Sequence, residues 1–188
     1  MDSFRWIVVP LSLVLGLGIA RLLTSGVALF QSRRQARLDW IPPVWAACIF
    51  LWQIQFWWSL IELSGTRQSW AIGHFLTLLG LVLLLFVAAA LVLPGDKLTT
   101  GSDLRESFRQ DGRWALLFLS VYFVLAAVAD WLLWDVPVVS LVTAEQLLLA
   151  LLPLVYLVLP RHSARVATTL VFVLASLWLA WDFSPDSY

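Results

Sequence analysis

The chain has 188 residues, of which 61% are hydrophobic and only 13% are charged, whereas a soluble domain carries about 25% charged residues. The formal net charge is zero, so the composition gives no reason to expect nucleic acid as a partner. Several apolar stretches reach the roughly 18–20 residues needed to cross a bilayer. We therefore predict an all-α polytopic membrane protein whose main surroundings are the lipid bilayer.

Six apolar stretches follow one another, and we expect each to form a transmembrane helix within one domain covering 1–188. Pro10, Pro42 and Pro43 lie in first turns, where helices tolerate proline, whereas Pro153 lies inside the fifth stretch and should kink it. The polar loop at 95–113 should contain a short helix over 102–110 that begins at a Ser102 or Asp103 cap. The predicted spans are 6–30, 41–63, 70–93, 114–134, 144–159 and 166–181.

The basic residues are divided unequally between the two sides of these six spans. Nine lie on the side of the loops that follow spans 1, 3 and 5, against only Arg5 and Arg67 on the other side. Basic loops stay in the cytoplasm, so we expect both termini to lie outside. The nine are Arg33, Arg34, Arg37, Lys97, Arg105, Arg109, Arg113, Arg161 and Arg165.

Small residues in span 1 indicate close helix packing. Gly16, Gly18 and Ala20 follow one another at alternate positions, and Gly16 and Ala20 are also separated by four residues, one helical turn apart. Small residues at such spacing let a neighbouring membrane helix approach closely. The single cysteine, Cys48, lies in span 2 and is interpreted as a small apolar packing residue.

Polar side chains inside the spans are the candidate functional residues, because ionisable groups in a membrane are costly. Arg21 is about 15 Å from the nearer end of span 1. In span 2, Trp52, Gln55, Ser59 and Glu62 fall on one helical stripe that should face the bundle interior. We predict a buried polar network, with two further residues near its outer mouth. The network would comprise Arg21, Gln55, Glu62 and Glu145, with His74 and Asp130 at the mouth, and Ser59 on the same stripe is a further candidate binding residue.

Each of these residues also has a simpler interpretation. Gln55 and Ser59 can hydrogen-bond neighbouring helices, with about 0.6–2 kcal/mol for each contact. Glu62, Asp130 and Glu145 lie near span ends, where the interface can solvate them, and His74 is compatible with a hydrogen-bonded interfacial histidine.

Several chemistries lack their residues. The only lysine, Lys97, lies in a loop, so no span offers a Schiff-base amine. Only His74 lies in a span, so bis-histidine haem ligation within one chain is not expected. Phosphate-binding, zinc-protease and serine-hydrolase motifs are not found in the sequence. We expect no cofactor and no metal, and nothing in the sequence argues for an enzyme.

Two regions carry a resemblance to other proteins. They are the run 15–23 (LGLGIARLL) with the arginine-rich loop after it, and the runs 40–42 (WIP) and 53–58 (QIQFWW). This pattern resembles an uncharacterised group of small bacterial multi-span proteins, and the entry to span 4 at 108–114 does so more loosely. The resemblance implies a bacterial inner membrane and attaches no activity.

Three functions are compatible with these features. The first is a small transporter or channel-like protein whose polar network binds an anion, a proton or another small solute at Arg21. The second is a sensor or assembly subunit that acts through helix packing and the 95–113 loop. The third is a lipid-binding or lipid-modifying protein that uses its tryptophan-rich outer rim. A homo-oligomer is expected.

Overall fold

A computed structural model gives the architecture for residues 3–32, 39–66, 71–94, 104–133, 136–137 and 139–182. The regular elements in these ranges are all helical. They are α1 (Ser3–Ser32), α2 (Ile41–Thr66), α3 (Ile72–Val92), the short α4 (Leu104–Ser107), a π-helical turn (Phe108–Gly112), α5 (Arg113–Leu133), α6 (Leu141–Val158) and α7 (His162–Asp182).

Six helical segments are long and apolar enough to cross a membrane, which confirms the prediction of an all-α six-span protein. Their outward faces are apolar, as on Leu174 and Trp178 of α7, whose side chains are 67% and 65% exposed. Such surfaces suit a lipid solvent, because lipid tails are as apolar as leucine.

The segment before α5 differs from the expected loop. Residues 104–112 are helical and run directly into α5, so the segment Leu104–Leu133 is one 30-residue unit. Leu104 and Phe108 are buried, which ties this extension to the bundle. A side chain at position 112 would overlap the Phe108 ring, so Gly112 permits the π-helical turn to close. The predicted cap at Ser102 or Asp103 lies outside the described residues.

Helix α6 begins three residues earlier than predicted. Ser140 accepts a hydrogen bond from the backbone N–H of Thr143 at 3.1 Å and thereby caps the helix. This cap supplies an acceptor for one of the unpaired N–H groups of the first turn. Pro153 lies inside α6 with its side chain buried.

Five helices form a closed ring, in which α2 packs on α3, α3 on α5, α5 on α6, α6 on α7, and α7 again on α2. Helix α1 packs outside this ring against α2 and α3. It buries one stripe at alternating spacings of four and three residues, which is the seam expected of packed membrane helices. The stripe comprises Leu11, Leu15, Gly18, Leu22 and Ser25.

Aromatic side chains fill the centre of the ring. They follow one another at centroid distances of 4.5–6.1 Å, mostly in edge-to-face contact, an arrangement that aromatic pairs prefer. We call this set the aromatic stack: Phe108, Tyr156, Trp45, Phe172, Phe123 and Trp52. It joins the π-helical turn, α6, α2, α7 and α5 along the axis of the bundle.

We expect Phe172→Ala to destabilise the bundle by about 3–5 kcal/mol, because Phe172 is fully buried between Trp45 and Phe123. Leu174→Ala, on the lipid-facing side of the same helix, is the matched control and should have little effect. Thermal unfolding followed by circular dichroism in detergent micelles measures both changes. Equal losses in the two variants would contradict a stability centred on the aromatic stack.

Candidate functional site

A cavity of about 150 Å³ lies between α2, α3, α5 and α6. It is located at the end of the bundle that contains the α5–α6 turn, since Val136 of that turn lines it. Most of its wall is apolar, but several polar side chains converge on it. The residues that carry the argument are Trp52, Gln55, Ser59, Tyr122, Asp130 and Gln146.

The polar stripe of α2 faces this cavity, as the spacing predicted. Trp52, Gln55 and Ser59 all line the wall. The Ser59 hydroxyl donates to the backbone oxygen of Gln55 at 3.1 Å. Within the described part of the chain, the Gln55 side-chain amide has no hydrogen-bond partner, so it is available to a ligand. The fourth member of the stripe, Glu62, has its side chain outside the described residues.

Asp130 and Gln146 form the polar centre of the cavity. The Gln146 amide nitrogen donates to the Asp130 carboxylate at 2.6 Å, joining α5 to α6. The Gln146 amide oxygen is buried and accepts no hydrogen bond from any described residue. The Asp130 carboxylate, with the Gln146 amide beside it, favours a ligand that donates hydrogen bonds or carries positive charge.

Gln146 was missed from the sequence, although its spacing could have identified it. It shares a buried face of α6 with Leu149, Ala150, Pro153 and Tyr156, at intervals of three and four residues. Glu145 was predicted instead, because it is ionisable and Gln146 is not. Consecutive helical residues point about 100° apart, and only Gln146 of the two lines the cavity.

The aromatic stack forms one side of the cavity. Trp52 and Phe123 belong to both, and Tyr122 packs on Phe123 at 5.2 Å. The Trp52 indole N–H donates to the Ser176 hydroxyl of α7 at 3.2 Å, which fixes the ring plane. From here the stack fills the bundle axis as far as Phe108, so the cavity is closed on that side.

The predicted polar network is not assembled in one place, because Arg21, Gln55 and Glu145 line three separate cavities. Arg21 lies in a gap of about 230 Å³ beside the last residues of α3, together with Ser107 and Asp111. The gap exists because α3 has 21 residues and α1 has 30. The C-terminal end of a helix carries partial negative charge and unpaired carbonyls, so it is a favourable position for a guanidinium group.

Glu145 and His74, which were also predicted for the network and its mouth, do not line the cavity beside Asp130. Glu145 is at the edge of an apolar groove between α6 and α7 that includes Leu148 and Trp178. His74 accepts a hydrogen bond from the backbone N–H of Ala71 at 3.4 Å and so caps α3. Its position therefore agrees with the interpretation as a hydrogen-bonded histidine near a span end.

Of Gly16, Gly18 and Ala20 in α1, Gly18 is the one that contacts α2. It is buried, and a Cβ atom there would overlap the amide of Gln53, itself fully buried. Gly16 has no neighbour within 4 Å of an added Cβ, and Ala20 is exposed. Gly16 and Ala20 thus lie away from the α1–α2 contact, which Gly18 makes.

In the described part of the chain, no three His, Cys, Asp or Glu side chains lie close enough together to hold a metal ion.

No protein-family description matches the sequence, and comparisons with characterised proteins and with solved structures return no significant match. The cavity beside Asp130 and Gln146 is therefore the main structural indication of function.

We expect Gly18→Ala to lower stability by about 1–3 kcal/mol, since the added methyl group displaces the buried Gln53 amide. Gly16→Ala adds the same methyl group where there is space and should be near neutral. Thermal unfolding of both variants, and of Gly18→Ala combined with Gln53→Ala, measures the coupling. If the second substitution gives no relief, the Gly18–Gln53 contact does not set the distance between α1 and α2.

Water access to the cavity can be measured in a Cys48→Ala background, which removes the single cysteine. We expect Ser59→Cys on the cavity wall to react with a charged methanethiosulfonate reagent at least about tenfold faster than Ser120→Cys. Ser120 is the control because it is buried and bonds the Leu116 carbonyl. Equally slow reactions would show that the cavity is dry.

Proposed function

We propose that this chain is a small solute carrier whose solute site is the cavity between α2, α3, α5 and α6. One observation carries the proposal: the Asp130–Gln146 pair lies in an aromatic-walled cavity inside membrane-spanning helices. Ionisable residues inside membrane helices commonly mark substrate or ion pathways. A purely structural polar contact would not need a cavity beside it.

The wall chemistry favours a small organic cation. Asp130 supplies negative charge, while Trp52, Phe56 and Phe123 supply aromatic rings that attract cations through their π-electron faces. Gln55 and Gln146 add amide groups for orientation. A cavity of about 150 Å³ holds a ligand about the size of benzene, which limits the solute to a few heavy atoms.

A carrier fits the closed bundle axis better than a channel does. The aromatic stack separates the cavity from the Phe108 end, so a solute crosses only if the stack rearranges. Two backbone irregularities lie at that end. Phe108 begins the π-helical turn, and Tyr156 lies three residues after Pro153. π-Helical turns and proline sites are common at functional or bending positions in helices.

Trp45 supports a second arrangement of the stack. Its indole N–H is buried, and no described residue accepts a hydrogen bond from it. A buried donor without a partner costs about 1–3 kcal/mol. A conformation in which water reaches the Trp45 N–H would recover that energy, so we assign the gate to Phe108, Tyr156 and Trp45.

The proposed setting follows the sequence. The resemblance implies a bacterial inner membrane, and the distribution of basic residues would place the cavity on the outer side, with both termini. Glu145 and Arg21, which line other cavities, take no part in solute binding. A homo-oligomer is not required, because the cavity lies within one chain.

We expect tetramethylammonium, a permanently charged probe of five heavy atoms, to raise the thermal unfolding midpoint and to enter proteoliposomes. tert-Butanol, a neutral molecule of similar size, should not raise the midpoint at the same concentration. Asp130→Asn should weaken tetramethylammonium binding at least about tenfold, because it removes the carboxylate charge that attracts the ammonium ion, and a loss of about 1.4 kcal/mol already corresponds to a tenfold change.

Glu145→Gln is the matched control, since it makes the same charge change on α6 at a position that does not line the cavity. Its binding and uptake should equal those of the wild type. Binding without uptake would indicate the sensor alternative. If tetramethylammonium fails to bind the wild type, or if both variants lose it equally, the assignment of the cavity is wrong.

A further inference from the structure

A second charged cluster lies at the opposite end of the bundle, near the connection between α6 and α7. Basic side chains from two distant segments line one pocket there: Arg105 of α4, Arg109 of the π-helical turn, and His162 and Arg165 of α7. Arg161 directly precedes α7 and is exposed. We call these five residues the basic rim. Arg105 and His162 are joined at 3.4 Å between Nη2 and Nδ1, so the two segments are in direct contact.

Arg165 is held in a fixed orientation. Its Nε donates to the Leu159 carbonyl at 2.8 Å, and its guanidinium carbon lies 5.5 Å from the centre of the Tyr156 ring. Tyr156 in turn packs on Phe108, so the Arg165 guanidinium group lies against the aromatic stack. An oriented guanidinium group binds a phosphate with little loss of conformational entropy.

Two carboxylates lie close to the basic rim, and one of them, Asp39, lines the same pocket as Arg105 and Arg165. Asp39 accepts a hydrogen bond from the backbone N–H of Ile41 at 3.1 Å and caps α2. Glu106 pairs with Arg109 at 3.7 Å and accepts from Gln110 at 3.3 Å. No described carboxylate forms an ion pair with Arg165 or Arg161. The basic rim therefore retains positive charge beside the N-terminus of the 21-residue α7, whose free N–H groups also favour an anion.

The surroundings place the basic rim at headgroup level. Trp40 and Trp114 are exposed at the same end, and Arg113 lies over the Trp114 ring at 5.5 Å. Tryptophans of this kind mark the membrane–water interface. Next to the basic rim, Val158 and Leu170 expose apolar surface along which acyl chains can lie.

We propose that the basic rim is a binding site for the phosphate group of an anionic phospholipid, with Arg165, Arg161 and the start of α7 as its main contacts. Basic pockets between membrane helices bind such headgroups through arginine–phosphate hydrogen bonds. The site is independent of the solute cavity. It would hold together α4 and α7, which the Arg105–His162 contact joins.

The test is lipid titration of the delipidated, detergent-solubilised protein by native mass spectrometry. We expect phosphatidylglycerol to bind at least about tenfold more tightly than phosphatidylcholine, because only the former carries net negative charge. Arg165→Gln should remove most of that preference. Arg113→Gln is the matched control, because it removes one charge at the same end from a side chain that lies over the Trp114 ring and is not part of the basic rim, and it should keep the preference.

Three results would overturn the proposal. Equal loss in Arg165→Gln and Arg113→Gln would show that only bulk charge matters. Equal binding of the two lipids would show no headgroup recognition. Inorganic phosphate raising the thermal midpoint as strongly as phosphatidylglycerol would identify a soluble ligand instead. If Arg165→Gln does not fold, Arg161→Gln should reduce the preference at least about threefold, and an unchanged preference would contradict the site.

Discussion

The structure depends on packing of rigid rings around Trp45. Between lipid-embedded helices there is no hydrophobic driving force of the kind that acts in water, so shape complementarity and interhelical polar contacts must hold the bundle together. Trp45 of α2 contacts Tyr156 of α6 and Phe172 of α7, and Phe172 continues to Phe123 of α5. Four of the six spanning segments are thereby joined through one set of side chains. The same rings close the axis of the bundle, so stability and permeability depend on the same contacts.

Polar groups lie on both sides of the aromatic stack. On one side, Asp130 and Gln146 bond each other beside the cavity, and on the other side the basic rim surrounds the start of α7. Arg21 is one example. Helix α3 ends at Val92, and a polar gap lies beside Arg21 at that point. A guanidinium group at that depth of α1 would otherwise face lipid, where it is costly.

A π-helical turn and a helical proline lie near the place where the aromatic stack meets the basic rim. The π-helical turn begins at Phe108, and Pro153 precedes Tyr156 by three residues. A headgroup bound at Arg165 would press on Tyr156 from one side, and a solute in the cavity would contact Trp52 at the other end of the same stack. The stack is thus the physical connection between the two proposed sites.

The sequence alone determined the solvent, the fold class and the six spans, because hydrophobic length and charge content respond to the thickness of a bilayer and not to particular neighbours. It also determined that Trp52, Gln55 and Ser59 share one face, since helical periodicity fixes direction within a helix. Only the tertiary structure decided which faces meet. It placed Gln146 opposite Asp130, moved Arg21 to the end of α3, and selected Gly18 instead of Gly16 as the contact with α2. Periodicity gives angle and depth along one helix, whereas partners depend on relative helix lengths and on the order of helices around the ring, which no single segment encodes.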